Sequence, residues 1–218
     1  MKKKNIPFIF LRELQYKQIK NQMNFYPRIV FIGEPGSGKT TLISRVLYCI
    51  LYDEENDFEM EDIGTTICSA TYRIPFYNSA GSKSYYFLWD TSSEGGSYYM
   101  LPLYLKNASC VVIVVDASSE KIEIQEEKYL KIIRNTCGNN VPVIIALTKC
   151  DLIDIDRLRG EIIHNKEIKQ KDICYLSAKN GQNVMILTKQ IANYIDKLES
   201  ENTITKNEKK INKKCLII

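Results

Sequence analysis

The order of apolar and polar positions divides the chain, from Arg28 onward, into strand-length apolar runs alternating with helix-length amphipathic stretches. Arg28 to Ile32 is a short run of buried-strand character, and Lys39 to Leu51 repeats apolar residues at helical spacing. Ile67 to Tyr77 and Tyr85 to Trp89 are β-rich, and Asn78-Ser79-Ala80-Gly81-Ser82 between them has turn composition, so the two are expected to pair antiparallel. A strand at Cys110 to Val115, a helix from Lys121 to Thr136, a strand at Pro142 to Leu147, a helix over Asp154 to Lys166, a strand at Asp172 to Leu176 and a helix from Gly181 to Leu198 follow. This alternation predicts a three-layer α/β fold, with a mostly parallel six-stranded sheet, one antiparallel edge strand and helices on both faces. Residues 199 to 218 are polar, rich in Lys and Asn and aperiodic, and read as a flexible tail.

Composition narrows the picture. With 218 residues and 44% hydrophobic content, the chain has material for one well-filled domain plus extensions. Its longest apolar runs have strand length and fall short of the roughly 20 residues a membrane-spanning helix needs. Met-Lys-Lys-Lys opens like a secretory signal, but the apolar stretch Ile6 to Leu11 is soon interrupted by Arg12 and Glu13. The seven cysteines form no Cys-x-x-Cys pair, which argues against a zinc site or disulfide framework and for reduced thiols.

The net charge of +4 sits at the ends. Residues 1 to 26 form a basic N-terminal extension, and Lys206, Lys209, Lys210, Lys213 and Lys214 make the C-terminal tail polybasic, whereas the body from 27 to 198 is slightly acidic. Basic ends on such a body fit contact with an anionic surface, and nothing points to nucleic acid.

The chemistry is concentrated in four motifs. Gly33-Glu34-Pro35-Gly36-Ser37-Gly38-Lys39-Thr40 satisfies G-x-x-x-x-G-K-S/T between a predicted strand and a predicted helix, with Thr41 following in the first turn. Glycines let the backbone curl so that successive N–H groups face phosphates, the helix N-terminus adds positive potential, Lys39 reaches the β and γ oxygens and the Thr40 hydroxyl binds Mg²⁺. Trp89-Asp90-Thr91 closes the hairpin's second strand and places Asp90 at the sheet's carboxyl edge, as a Mg²⁺-directed carboxylate. Thr148-Lys149-Cys150-Asp151 and Ser177-Ala178-Lys179 each follow a strand of their own at that edge. The phosphate loop by itself also resembles those of ATPases and nucleotide kinases.

In this order the four motifs resemble the signature of Ras-superfamily GTPases, especially the Rab and Ras branches, over about residues 27 to 198. The resemblance implies a GTP-binding P-loop domain that uses GTP or GDP with Mg²⁺. It implies that Asp151 accepts hydrogen bonds from guanine, that the Lys149 stem packs over the base, and that the Ala178 backbone N–H donates to guanine O6. Tyr98-Tyr99 through Ala108 is similar to the second helix of Rab-like proteins, and the interval from Asp151 to Ser177 leaves no room for the extra helix of Rho proteins. Family partners would be an exchange factor, a GTPase activator and effectors, with the chain a monomer.

The chain departs from the family pattern at residues 92–94 and at Thr148, and offers two candidates for the first-switch threonine. The first-switch threonine that binds Mg²⁺ and the γ-phosphate is Thr66, with Thr65 as the alternative. Asp90-Thr91-Ser92-Ser93-Glu94 stands where Asp-Thr-Ala-Gly-Gln is usual, so Ser93 replaces the glycine that approaches the γ-phosphate and Glu94 the glutamine that orients water. With Lys39 and Glu94 as the catalytic positions, slow intrinsic hydrolysis is expected, because a second negative charge meets an anionic transition state. Thr148 replaces the usual Asn, and a shorter side chain is expected to hold base and phosphate loop together less firmly.

Cys215-Leu216-Ile217-Ile218 has the form of a C-a-a-X box behind the lysines, which predicts a covalent prenyl group on Cys215 and attachment to the cytoplasmic face of a membrane, farnesyl and geranylgeranyl both remaining open. The reading is therefore a membrane-anchored switch in vesicle trafficking or signal transduction. Its rivals are a GTP-binding interaction module without hydrolysis and a P-loop ATPase or kinase.

Overall fold

The computed structural model describes residues 26–52, 70–77, 81, 83–92, 95–156, 158, 166 and 168–215. Its strands are β1 (Arg28–Ile32), β2 (Ala70–Tyr77), β3 (Lys83–Asp90), β4 (Cys110–Asp116), β5 (Val143–Thr148) and β6 (Ile173–Tyr175). Its helices are α1 (Lys39–Tyr52), α2 (Leu101–Leu105), α3 (Ile122–Cys137) and α4 (Val184–Cys215), with a 3-10 turn at Gly95–Met100 before α2.

The strands form one sheet in the order β2-β3-β1-β4-β5-β6. Only the β2–β3 pair is antiparallel; the others run parallel, as the expected architecture requires. A parallel sheet has both faces covered, and the sequence supplies this by alternation within the apolar strands. Ile29, Phe31, Val112, Val114, Ile144 and Ala146 pack with Leu42, Ile43 and Val46 of α1 and with Val184, Leu187, Ile191 and Ile195 of α4. Val30, Ile32, Val111, Ile113, Val115 and Leu147 face the other way, against Leu101 and Leu105 of α2 and Tyr129, Leu130 and Ile133 of α3.

Register brings the strand ends together. Phe31 lies opposite Asp90, Asp116 opposite Thr148, and Leu147 opposite Tyr175. The loops leaving β1, β3, β4, β5 and β6 therefore open at one carboxyl edge, where open α/β sheets bind ligands.

Trp89 precedes Asp90 on β3, with the Arg28 guanidinium 5.1 Å from its ring centroid and the Tyr104 ring at 6.4 Å. Arg28 also donates to the Lys106 and Asn107 carbonyls, tying the start of β1 to the end of α2.

One expectation changes. The last helix does not stop at Leu198; it continues to Cys215 through the segment read as flexible tail. Loss of apolar periodicity marks where α4 stops packing on the sheet, but no Gly or Pro occurs after Gly181 to end the helix itself. The helix expected over Asp154 to Lys166 begins as foreseen, since Asp154 Oδ1 accepts the Asp156 N–H at 3.0 Å as an N-cap does, while most of its length lies outside the described residues. Among the described residues no helix is long and apolar enough to cross a membrane, and Cys49, Cys110, Cys137, Cys150 and Cys174 are not disulfide-bonded.

Candidate nucleotide-binding site

The loop from Gly33 to Thr40 joins β1 to α1, and its glycines have separate physical reasons. A Cβ on Gly33 would lie 2.1 Å from the Val114 carbonyl oxygen, so the loop passes too close to β4 for any side chain. Gly36 and Gly38 have φ of 74° and 86°, the left-handed geometry that turns successive N–H groups inward. Lys39 is buried, and its Nζ donates to the Gly33 carbonyl at 3.2 Å and the Glu34 carbonyl at 2.9 Å. Burial lowers its pKa to about 8, against the opposing pull of Asp90 and Glu34. The ammonium is thus held at the loop's centre by its stem and the loop carbonyls.

Asp90 is fully buried at the end of β3, and Thr40 Oγ1 donates to its Oδ2 at 2.7 Å. Burial raises the carboxyl's pKa, while the Thr40 hydrogen bond and the Lys39 charge counter that rise. Its other oxygen, Oδ1, is buried and accepts no hydrogen bond among the described residues. A buried carboxylate oxygen without a donor, beside a threonine hydroxyl at a helix N-terminus, fits a divalent cation. Mg²⁺ in particular takes one or two protein ligands and completes its shell with water and substrate phosphates. Thr91 fixes this corner through its hydroxyl, which donates to the Phe31 carbonyl at 2.7 Å.

Thr148 ends β5 and is buried; its Oγ1 lies 2.7 Å from the Ser37 carbonyl and 3.1 Å from the Val115 carbonyl. The shorter side chain expected to grip the phosphate loop weakly therefore reaches it directly. Lys149 follows with φ of 59°, and its Nζ pairs with Asp116 Oδ2 at 2.6 Å. Asp151 is exposed, and its Oδ1 accepts from the Ser177 hydroxyl at 2.5 Å. Ser177 and Ala178 are buried and Lys179 is exposed. Their loop is closed by the Ser177 N–H to the Gln182 carbonyl at 3.0 Å and the Asn183 amide to the Tyr175 carbonyl at 2.8 Å.

The structure thus gathers Gly33 to Thr40 with Asp90 at one end of the edge and Lys149, Asp151 and Ser177 at the other, with Thr148 bridging to the loop. Thr41 occupies the first turn of α1 and is half-buried. Thr65, Thr66, Ser93 and Glu94 lie outside the described residues, and Cys215 is the last residue of α4.

Sequence reasoning missed two residues, Asp116 and Lys128. Asp116 closes the β4 apolar run at the same edge as the four motifs, which was a usable signal; Ser118 donates to its Oδ1 through N–H at 2.9 Å and Oγ at 2.7 Å. Glu34, inside the phosphate loop, pairs through Oε1 with Lys128 Nζ at 2.6 Å and accepts from the Tyr129 hydroxyl. No local pattern announces Lys128, because α3 carries many charged residues.

A G-x-x-x-x-G-K-T loop, a hydrogen-bonded Thr40–Asp90 pair and the Asp151 carboxylate at one sheet edge define a P-loop domain. Residues 28–151, more than half the chain, match the family described as Roc, "Ras of Complex, Roc, domain of DAPkinase". The chain belongs to this family and thereby to the Ras superfamily. A similar solved structure is that of Methanosarcina barkeri Roco2 RocCORdC bound to GDP, with a TM-score of 0.58 and 19% identity, covering 79% of this chain and 49% of that one. At that identity the likeness is one of fold, and the chain spans about half the length of the protein it matches.

Proposed function

We propose that this protein is a guanine-nucleotide switch that binds GDP and GTP with Mg²⁺ and hydrolyses GTP slowly. The observation supporting it is the placement of Asp151 at the same sheet edge as Lys39, Thr40 and Asp90, with Thr148 linking the two halves.

The loop N–H groups and Lys39 bind the phosphates, and their positive potential stabilises charge on the transferring phosphoryl group. Thr40 and Asp90 would hold Mg²⁺, which when bound neutralises phosphate oxygens as a Lewis acid. Ser177 fixes Asp151, whose remaining acceptor capacity suits the N1–H and 2-amino group of guanine; adenine offers no such donor pair and would leave the carboxylate unpaired. Glu94 in place of glutamine and Ser93 in place of glycine support slow turnover.

The same proposal extends to the cell. Thr66 senses the γ-phosphate, an exchange factor, an activator and effectors read the nucleotide state, and the chain acts as a monomer. The likeness of Tyr98 to Ala108 to Rab-like proteins favours the Rab or Ras branch and a role in trafficking or signalling. The lysines from Lys206 to Lys214, with a prenyl group on Cys215, would hold the protein at the cytoplasmic face of a membrane.

The test is calorimetric titration of the full chain with GDP, GTP and ATP, with Mg²⁺ and with EDTA, followed by single-turnover phosphate release. Guanine nucleotides should bind about 100-fold more tightly than ATP, Asp151→Asn should abolish that preference, and EDTA should weaken binding. Glu94→Gln should speed release. Equal affinity for ATP and GTP would sink the guanine reading, and unchanged release in Glu94→Gln would remove Glu94 from the explanation of slow turnover.

A further inference from the structure

A phosphate-binding loop works by positive potential, yet the residue after Gly33 is a glutamate. Within the loop itself Lys39 is the cation and Glu34 a carboxylate, and the Asp90 carboxylate lies beside them. Left unpaired, Glu34 would repel an incoming triphosphate. It is not left so: Lys128, from α3, places Nζ 2.6 Å from its Oε1, and Tyr129 adds a hydroxyl hydrogen bond. The Lys128 ammonium also lies 4.7 Å from the Tyr98 ring centroid and 5.2 Å from that of Tyr129, within cation–π range of both.

Around this pair is a cavity of about 210 Å³, bordered by Gly33, Pro35, Ser92, Tyr98 and Leu101. Tyr98 belongs to the 3-10 turn Gly95–Met100 and Leu101 to the start of α2, so the cavity separates the phosphate loop from the segment following Asp90. Lys128 spans that boundary, its charge on one side and its aromatic contact on the other.

Resting on the guanine-nucleotide reading, we propose that Lys128 is a positioning residue of the phosphate loop. It cancels the Glu34 carboxylate so that the loop accepts a triphosphate, and its seat against Tyr98 makes that cancellation depend on the conformation of the segment after Asp90. The pair is partly exposed, at 37% and 34% for the two side chains, so as a surface ion pair it stabilises the fold little. Its importance comes from its place beside the phosphates. Movement of Tyr98 frees the ammonium from one of its two rings and weakens its hold on Glu34, linking a rearrangement outside the loop to the field within it.

The experiment uses the full chain and calorimetric titration with GTP and GDP in Mg²⁺, at low and high salt, for wild type, Lys128→Met, Lys128→Arg, Glu34→Gln, the Lys128→Met/Glu34→Gln double variant and Tyr98→Leu. Lys128→Met should weaken GTP binding about five- to tenfold at low salt, and GDP binding less, because GTP carries more phosphate charge. Glu34→Gln should bind at least as well as wild type, the double variant should return to within about twofold of it, and Lys128→Arg should keep most of the affinity. Tyr98→Leu should weaken GTP binding in the same direction, by about twofold. A merely structural lysine would lower the melting temperature without rescue by Glu34→Gln and without salt dependence. If Lys128→Met fails to fold, the double variant and Glu34→Gln still decide, since a double variant as weak as a salt-independent loss requires overturns the inference. Lys128→Met binding GTP as wild type does also overturns it. Absence of guanine-nucleotide binding by wild type is a separate result, which overturns the functional reading itself.

Discussion

The Thr148 hydroxyl lies 2.7 Å from the Ser37 carbonyl, so the last residue of β5 is bonded to the middle of the phosphate loop. A hydroxyl has one proton, and of its two carbonyl neighbours Ser37 is nearer than Val115 at 3.1 Å. Thr148→Val keeps the shape and removes the donor. It should destabilise the protein by about 1–2 kcal/mol, because a buried carbonyl loses its partner, and should speed nucleotide dissociation about tenfold as the loop loosens. Chemical denaturation and release of radiolabelled GDP measure the two effects. Release at the wild-type rate would mean that the loop is held by its glycines and Lys39 alone.

Gly33 and Gly138 give a contrast in which space and conformation separate. A Cβ at Gly33 meets the Val114 carbonyl oxygen at 2.1 Å, whereas at Gly138 it meets nothing within 4 Å but the backbone has φ of 77°. Gly33→Ala must move β1 or β4, and should cost about 3 kcal/mol or more. Gly138→Ala should cost about 1 kcal/mol from its left-handed φ. Urea midpoints at constant m-value test the order, and a Gly33→Ala protein as stable as the Gly138→Ala protein would contradict the close approach.

Asp116 gives a pH dependence with a defined sign. Burial raises its pKa, but hydrogen bonds from the Lys149 ammonium and from Ser118 outweigh this and hold the carboxyl below its ordinary value. The unfolded chain therefore takes up the proton first as pH falls. The stabilisation is complete above the unfolded pKa of about 3.9 and is lost as pH drops through the lower folded value. Because the pair is partly exposed, Asp116→Asn should cost at most about 1 kcal/mol at pH 7, with the difference from wild type shrinking below about pH 4. A difference that grows on acidification would refute this assignment.

Much of this architecture was legible because apolar strands and periodic helices are local patterns, and because each motif directly follows its own strand. The antiparallel β2–β3 edge and the common position of Asp90, Thr148 and Asp151 follow from that order alone. Contacts between side chains distant in sequence were not legible: Glu34 and Lys128 are 94 residues apart, and Thr148 and Ser37 are 111 apart. The end of α4 was misjudged for a different reason. Periodicity reports which residues pack, whereas helix termination depends on breakers, and the chain has none after Gly181. Asp116 was passed over because a single acid after an apolar run has no motif around it, although its position at the carboxyl edge was implicit in the strand alternation.

The placement of Trp89 has a practical consequence. It is the chain's one tryptophan, it immediately precedes the carboxylate assigned to the cation, and its ring is covered by Arg28 and approached by Tyr104 at the end of α2. The protein therefore carries its single indole fluorophore at the junction between its central sheet and the segment expected to rearrange. Under the proposed function its emission should change on nucleotide loading, without a label and without altering any residue of the site.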